Sequence, residues 1–98
     1  MQHIQHRRIT TRLKAPNITI QESRQVIGNR MKEARLNSGM SQQDIAQILH
    51  CDQTTISRME RGAISPDCAQ IRTLSSVFQL SILYLLGYPT FVVSATAS

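Results

Sequence analysis

Glutamine, hydroxyl and guanidinium side chains recur in a short stretch, at Gln53, Thr54, Ser57, Arg58 and Arg61. An α-helix turns about 100° per residue. With Gln53 at zero, Ser57 falls near ~40°, Arg61 near ~80°, Thr54 near ~100° and Arg58 near ~140°. The five therefore share one arc. Thr55, Ile56, Met59 and Glu60 fall opposite, from roughly 200° to 340°. Such an arc can hydrogen-bond the edges of nucleic-acid bases. Gln matches adenine, Arg matches guanine, and Ser or Thr reaches bases or phosphate. A solvated helix face is also polar, but it usually mixes Lys with Glu, and this arc holds no acid.

Other reactive side chains form no comparable pattern. His3, His6, His50, Cys51 and Cys68 show no CxxC or HxxxH spacing, so no metal site and no cofactor is expected. Cys51 and Cys68 read as small core fillers. Met31, Met40 and Met59 read as core. A Cys–His nucleophile lacks an orienting acid and an oxyanion site. Four glycines without a glycine-rich loop argue against a nucleotide-binding enzyme. The chain is expected not to be an enzyme.

The elements that would hold the arc can be read from their caps. Thr19-Ile20-Gln21-Glu22 has capping-box spacing, so a first helix starts there or at Ser23 and runs to about Asn37. Ile20, Ile27 and Met31 share its apolar face. Ser38-Gly39 ends it. Ser41 with Asp44 caps a second helix carrying Ile45, Ile48 and Leu49. Asp52 caps a third, Gln53 to Arg61, stopped by Gly62. Ser65-Pro66-Asp67 opens a fourth, with Ser65 as cap and Pro66 in the first turn, and Ile71, Leu74 and Phe78 as its stripe. Ser81 caps a short fifth helix, Ile82 to Leu86, before Gly87. The expected fold is all-α: a compact bundle of five short helices with an N-terminal arm and a short C-terminal tail. Helices two and three, joined by a turn of three or four residues, have helix-turn-helix spacing.

With 98 residues the chain is expected to hold one domain with a thin core. No apolar run reaches the ~18 residues of a membrane span. The polar, basic N-terminus does not read as a secretory signal, and two cysteines suit a reducing cytoplasm. The formal net charge is +5. Residues 1–24 carry five basic groups against one acid, and residues 25–98 carry six against five. A basic arm on a near-neutral body suits a polyanion partner, or a solubilising tail. Residues 1–18 have no helical period and hold Arg7, Arg8, Arg12 and Lys14, with room for a short strand near His6–Leu13. Residues 19–87 form the expected helical domain. Residues 88–98 form an extended or weakly β tail around Phe91-Val92-Val93.

Residues 27–87 resemble the Cro/cI-type (XRE) helix-turn-helix regulators, which include lambdoid phage repressors. The likeness lies in Ile27-Gly28-Asn29-Arg30-Met31-Lys32, in Gly39-Met40-Ser41-Gln42-Gln43-Asp44-Ile45-Ala46, in Thr55-Ile56-Ser57-Arg58-Met59-Glu60-Arg61-Gly62, and in the ending Leu83-Tyr84-Leu85-Leu86-Gly87. It implies a bacterial or phage-encoded DNA-binding protein. It places Gln42 at the start of helix two, contacting the DNA backbone and bracing the recognition helix. Gln53, Thr54, Ser57 and Arg58 fall on positions that contact bases and phosphates. Arg35 and Glu60 fall on a structural pair. One departure is His50, where the family usually has glycine, at a turn position that often needs φ > 0.

The fifth helix is apolar all round, which a small domain cannot enclose. In related repressors this region lies at the dimer contact. Ile82, Leu83 and Leu86 are therefore expected to form a homodimer surface, unless the tail folds over them. The expected function is sequence-specific regulation of transcription, as a dimeric repressor of a palindromic operator with half-sites ~34 Å apart. The alternative is an antitoxin whose arm or tail binds a toxin and which represses its own operon.

Overall fold

The computed structural model describes residues 18–89, which form five α-helices and no strand. In chain order they are α1 Ile20–Asn37, α2 Gln42–Leu49, α3 Gln53–Glu60, α4 Cys68–Phe78 and α5 Ile82–Leu85. The fold is all-α, as the cap and period signals imply. Arg7, Arg8, Arg12 and Lys14, the proposed strand near His6–Leu13 and the β-prone tail lie outside the described residues.

Local chemistry sets most of the helix ends. Thr19 Oγ1 accepts the Glu22 backbone N–H at 3.0 Å, and Glu22 Oε1 accepts the Thr19 N–H at 2.8 Å. Ser41 and Asp44 repeat the arrangement at 3.0 and 2.9 Å. Each box satisfies two of the donors that a helix start leaves without partners. Asp52 caps α3 through the Thr55 N–H at 2.9 Å. His50 closes α2 at φ 57°, ψ 46°, in the left-handed region. Gln79 does the same for α4 at φ 55°, a conformation its sequence context does not announce.

Three expectations need correction. The fourth helix is capped by Asp67 and not by Ser65. Asp67 Oδ1 accepts the Gln70 N–H, and Gln70 Oε1 accepts the Asp67 N–H, both at 2.8 Å. That reciprocal box outcompetes a lone serine, and Pro66 packs as a buried residue ahead of the helix. Ile20 is 72% exposed and does not share the buried face of Ile27 and Met31. It occupies the first turn of α1, with its side chain in solvent. Cys68 is exposed at the start of α4, whereas Cys51 is half-buried against the core.

The core gathers Met31 of α1, Ile45, Ala46 and Leu49 of α2, Ile56 and Met59 of α3, Leu74 of α4 and Leu85 of α5. All five helices thus contribute to one cluster. Met40 packs at its edge. α3 lies between α2 and α1, and so its inward face is fixed from two sides. No helix among the described residues is long and apolar enough to cross a membrane.

Candidate nucleic-acid interface

α2 and α3 are joined by three residues, His50, Cys51 and Asp52. His50, in the left-handed region, ends α2 and lets the chain turn into α3. Ile56 and Met59 anchor α3 inward, with Ile56 fully buried. Gln53, Thr54, Arg58 and Arg61 are exposed, and Ser57 is half-buried between them. The acid-free arc therefore faces outward. Arg61 Nη1 donates to Ser57 Oγ at 3.1 Å, one turn away. Gln42, Gln53, Thr54, Ser57 and Arg61 line a shallow polar recess of about 420 Å³.

A chain of hydrogen bonds supports this surface from below. Arg35 Nε donates to Glu60 Oε2 at 2.7 Å, and Arg35 Nη2 donates to Glu60 Oε1 at 3.1 Å. A third guanidinium nitrogen, Nη1, donates to the Met40 carbonyl at 2.9 Å. One arginine of α1 thus grips the end of α3 and the entrance to α2. The side chains of Arg35 and Glu60 are only 10% and 3% exposed. Burial of both charges is tolerable because each guanidinium nitrogen and both carboxylate oxygens have a hydrogen-bond partner. Hydrogen bonding to Glu60 raises the Arg35 pKa above the ordinary arginine range, against the opposing effect of burial. Among the described residues no buried side-chain nitrogen or oxygen lacks a partner.

The chain continues to the surface. Gln42 Nε2 donates to Glu60 Oε1 at 3.0 Å, and Gln53 Nε2 donates to Gln42 Oε1 at 3.3 Å. A carboxylate only accepts, so Glu60 dictates which end of the Gln42 amide faces it. The Gln42 oxygen must then face Gln53, and Gln53 must turn a nitrogen inward. What Gln53 leaves outward is one carbonyl oxygen and one N–H, an acceptor and a donor side by side. The buried ion pair thus orients an exposed amide two hydrogen bonds away.

The backbone also brings α1 against α3. A Cβ on Gly28 would clash with the Met59 carbonyl and come within 2.8 Å of the Glu60 carbonyl oxygen. Gln21 Nε2 donates to the Gly62 carbonyl at 3.3 Å. Nothing in local sequence pattern marks Gly28 as a contact point, since a lone glycine in a helix only weakens it.

Burial, with a smaller push from Asp52, raises the Cys51 thiol pKa, which keeps it protonated and a poor nucleophile. The Asp52 carboxyl is held below the usual carboxylate range, first by the Thr55 hydroxyl and then by the Thr55 backbone N–H. Among the described residues no three His, Cys, Asp or Glu side chains group as metal ligands.

A family model described as helix-turn-helix matches residues 31–85. The chain belongs to the XRE-type helix-turn-helix family. It is similar to the HTH-type transcriptional regulator ImmR of Bacillus subtilis (strain 168), at 36% identity over 61 residues, which is 62% of this chain and 48% of that protein. The chain thus spans about half the length of the curated relative it matches. No solved structure matches it. The matched span contains α2 and α3, the pair with helix-turn-helix spacing. The dimer expectation falls on α5 and its C-cap: Ile82 and Leu83 are exposed, and Leu86, expected within the helix, caps it half-buried.

Proposed function

We propose that this helix-turn-helix protein regulates transcription by binding double-stranded DNA sequence-specifically, as a homodimeric repressor on a palindromic operator. The observation that carries this reading is the oriented amide of Gln53 in an exposed, acid-free arc, braced through Gln42 by the buried Arg35–Glu60 pair. A donor and an acceptor held side by side match adenine N6 and N7 in the major groove. Thr54, Ser57, Arg58 and Arg61 flank it with groups suited to bases and phosphates. The printed name of the Bacillus relative, a transcriptional regulator, points the same way.

The dimer is supported by surface chemistry. Leu83 is 56% exposed and Ile82 40%, both on the same short helix, with Val77 and Tyr88 exposed close by in the chain. A second copy related by a two-fold axis would cover these groups and set two recognition helices on successive turns of one DNA face. The basic arm adds cations that suit the phosphate backbone. The deciding experiment is selection of duplexes bound by the full chain from a random pool. Enrichment of an inverted repeat with half-sites about one helical turn (~10 base pairs) apart is the expected result. Recovery of unrelated sequences would refute specific readout, and recovery of a single unrepeated half-site would refute the dimer.

A further inference from the structure

α5 has four residues, too few to hold a helix by itself. Its placement is therefore decided by what it touches. Leu85 enters the core and is 1% exposed. Tyr84 turns instead toward α1, where Arg30 meets it twice. Arg30 Nη1 donates to the Tyr84 backbone carbonyl at 2.6 Å, and the guanidinium carbon lies 4.2 Å from the centre of the Tyr84 ring. One turn further along α1, Glu33 Oε1 accepts the Tyr84 hydroxyl at 3.4 Å. One turn earlier along α1 than Arg30, Val26 packs so closely on Gly87 that a Cβ there would come within 2.8 Å of Val26 Cγ1.

The physics of each contact favours a fixed geometry. The last carbonyls of a helix carry partial negative charge, so a guanidinium there is attracted. The same cation is attracted to the tyrosine face within ~6 Å. Because one arginine holds both the ring and the carbonyl of Tyr84, it restrains the roll of α5 as well as its distance. Leu85 supplies the second anchor about 100° away around the helix. Ile82 and Leu83 are thereby turned outward.

α1 also touches α3 through Gly28 and Arg35, and the turn just after α3 through the Gln21 bond to Gly62. It is a single uninterrupted helix of 18 residues. It therefore links the outward face of α5 rigidly to α3. We infer that Arg30 is a positioning residue: by clasping Tyr84 it sets the angle of α5 on α1, and with it the separation of the two recognition helices in the dimer. This rests on the dimeric reading above. The leverage is large. With half-sites ~34 Å apart, each recognition helix stands roughly 17 Å from the two-fold axis. A tilt of about 10° at the dimer face moves it roughly 3 Å, close to one base-pair step of ~3.4 Å.

The test uses the duplex selected by the full wild-type chain, remade with the half-sites one or two base pairs closer or further apart. Wild type binds the selected spacing best. In Arg30→Ala the preference for that spacing over its neighbours falls roughly three- to tenfold. Base preference within each half-site stays the same. Arg30→Lys, which can keep a cation over the ring, recovers part of the spacing preference, an outcome that loss of stability alone does not predict. Circular dichroism and sedimentation accompany each variant. If Arg30→Ala is unfolded, Tyr84→Leu decides, since it removes the ring and leaves the carbonyl. A folded, dimeric variant with the wild-type spacing profile overturns the clasp alone. A wild-type chain that binds as a monomer, equally at every spacing, overturns the dimeric reading and the clasp with it.

Discussion

The buried guanidinium of Arg35 and the exposed amide of Gln53 belong to one hydrogen-bonded chain, and that coupling is testable residue by residue. Removing either member of the Arg35–Glu60 pair strands a buried charge, which costs about 3–5 kcal/mol. Arg35→Ala and Glu60→Ala should each lower stability by an amount of that order, while the double variant loses clearly less than the sum. Denaturant unfolding of the three variants measures this, and strict additivity would show that the two charges do not act as a pair. At the surface the effect is on binding. Gln53→Ala and Arg58→Ala should each weaken the selected duplex by ~1–3 kcal/mol and relax the base preference at one position. Non-specific binding, which depends on phosphates, should change less. Titrations against the selected and scrambled duplexes separate the two, and equal losses on both would place the readout elsewhere.

At the scale of elements, α3 is fixed by α1 as well as by its own cap and buried residues. The closest approach is at Gly28, where the α1 backbone meets the Met59 and Glu60 carbonyls. An alanine inside an isolated helix is better than glycine by about 1 kcal/mol. Here the added Cβ has no room, and overpacking of that kind costs ~1–3 kcal/mol. Gly28→Ala should therefore destabilise the fold, the opposite sign to helix propensity. Thermal unfolding reads the sign directly. A rise in Tm would mean that α1 and α3 can separate freely. The same logic explains why Ile20 has little to do with this contact. It sits in the first turn of α1 with its side chain in solvent, while Gln21 beside it ties that turn to Gly62.

For the whole molecule, the questions are how many copies act together and what the arm contributes. Leu83→Glu places a charge on the exposed side of α5 without touching the core. It should give a folded monomer by sedimentation, with far weaker binding to a duplex carrying two half-sites, because the second contact is no longer intramolecular. A variant that remains dimeric would move the interface away from α5. The arm is measured by salt. The chain beyond residue 24 carries six basic and five acidic groups, which leaves little charge to hold DNA. If Arg7, Arg8, Arg12 and Lys14 all meet phosphates, deleting residues 1–18 should flatten the salt dependence by up to ~0.9 per charge, about 3.6 log units per log unit of salt for each protomer. Base preference should persist. Parallel slopes for the full and shortened chains would exclude the arm from DNA and favour a protein partner for it.

Much of this arrangement was legible in the order of residues alone, because its causes act over three or four positions. Thr19 with Glu22, Ser41 with Asp44, and Asp52 each mark a helix start through bonds made within one turn. The spacing of Gln53, Thr54, Ser57, Arg58 and Arg61 already implied one polar arc, since helix geometry is regular. His50 stood at a turn that needed a left-handed residue, and it adopts that conformation. The Ser65 cap shows where such reading stops. The cap is made two residues later, where Asp67 and Gln70 exchange reciprocal bonds. Pairing across the fold lay further out of reach. The Arg35–Glu60 pair, 25 positions apart, was implied by the family resemblance and by no local pattern, and the contact of Arg30 with Tyr84, 54 positions apart, emerges only from packing. The need for glycine at position 28 shows only in the fold, where the Met59 and Glu60 carbonyls come against it. Short-range hydrogen bonds and helical periodicity thus determined the elements and the face they present. The tertiary structure decided how that face is braced and oriented, because side chains distant in sequence meet only when the core closes.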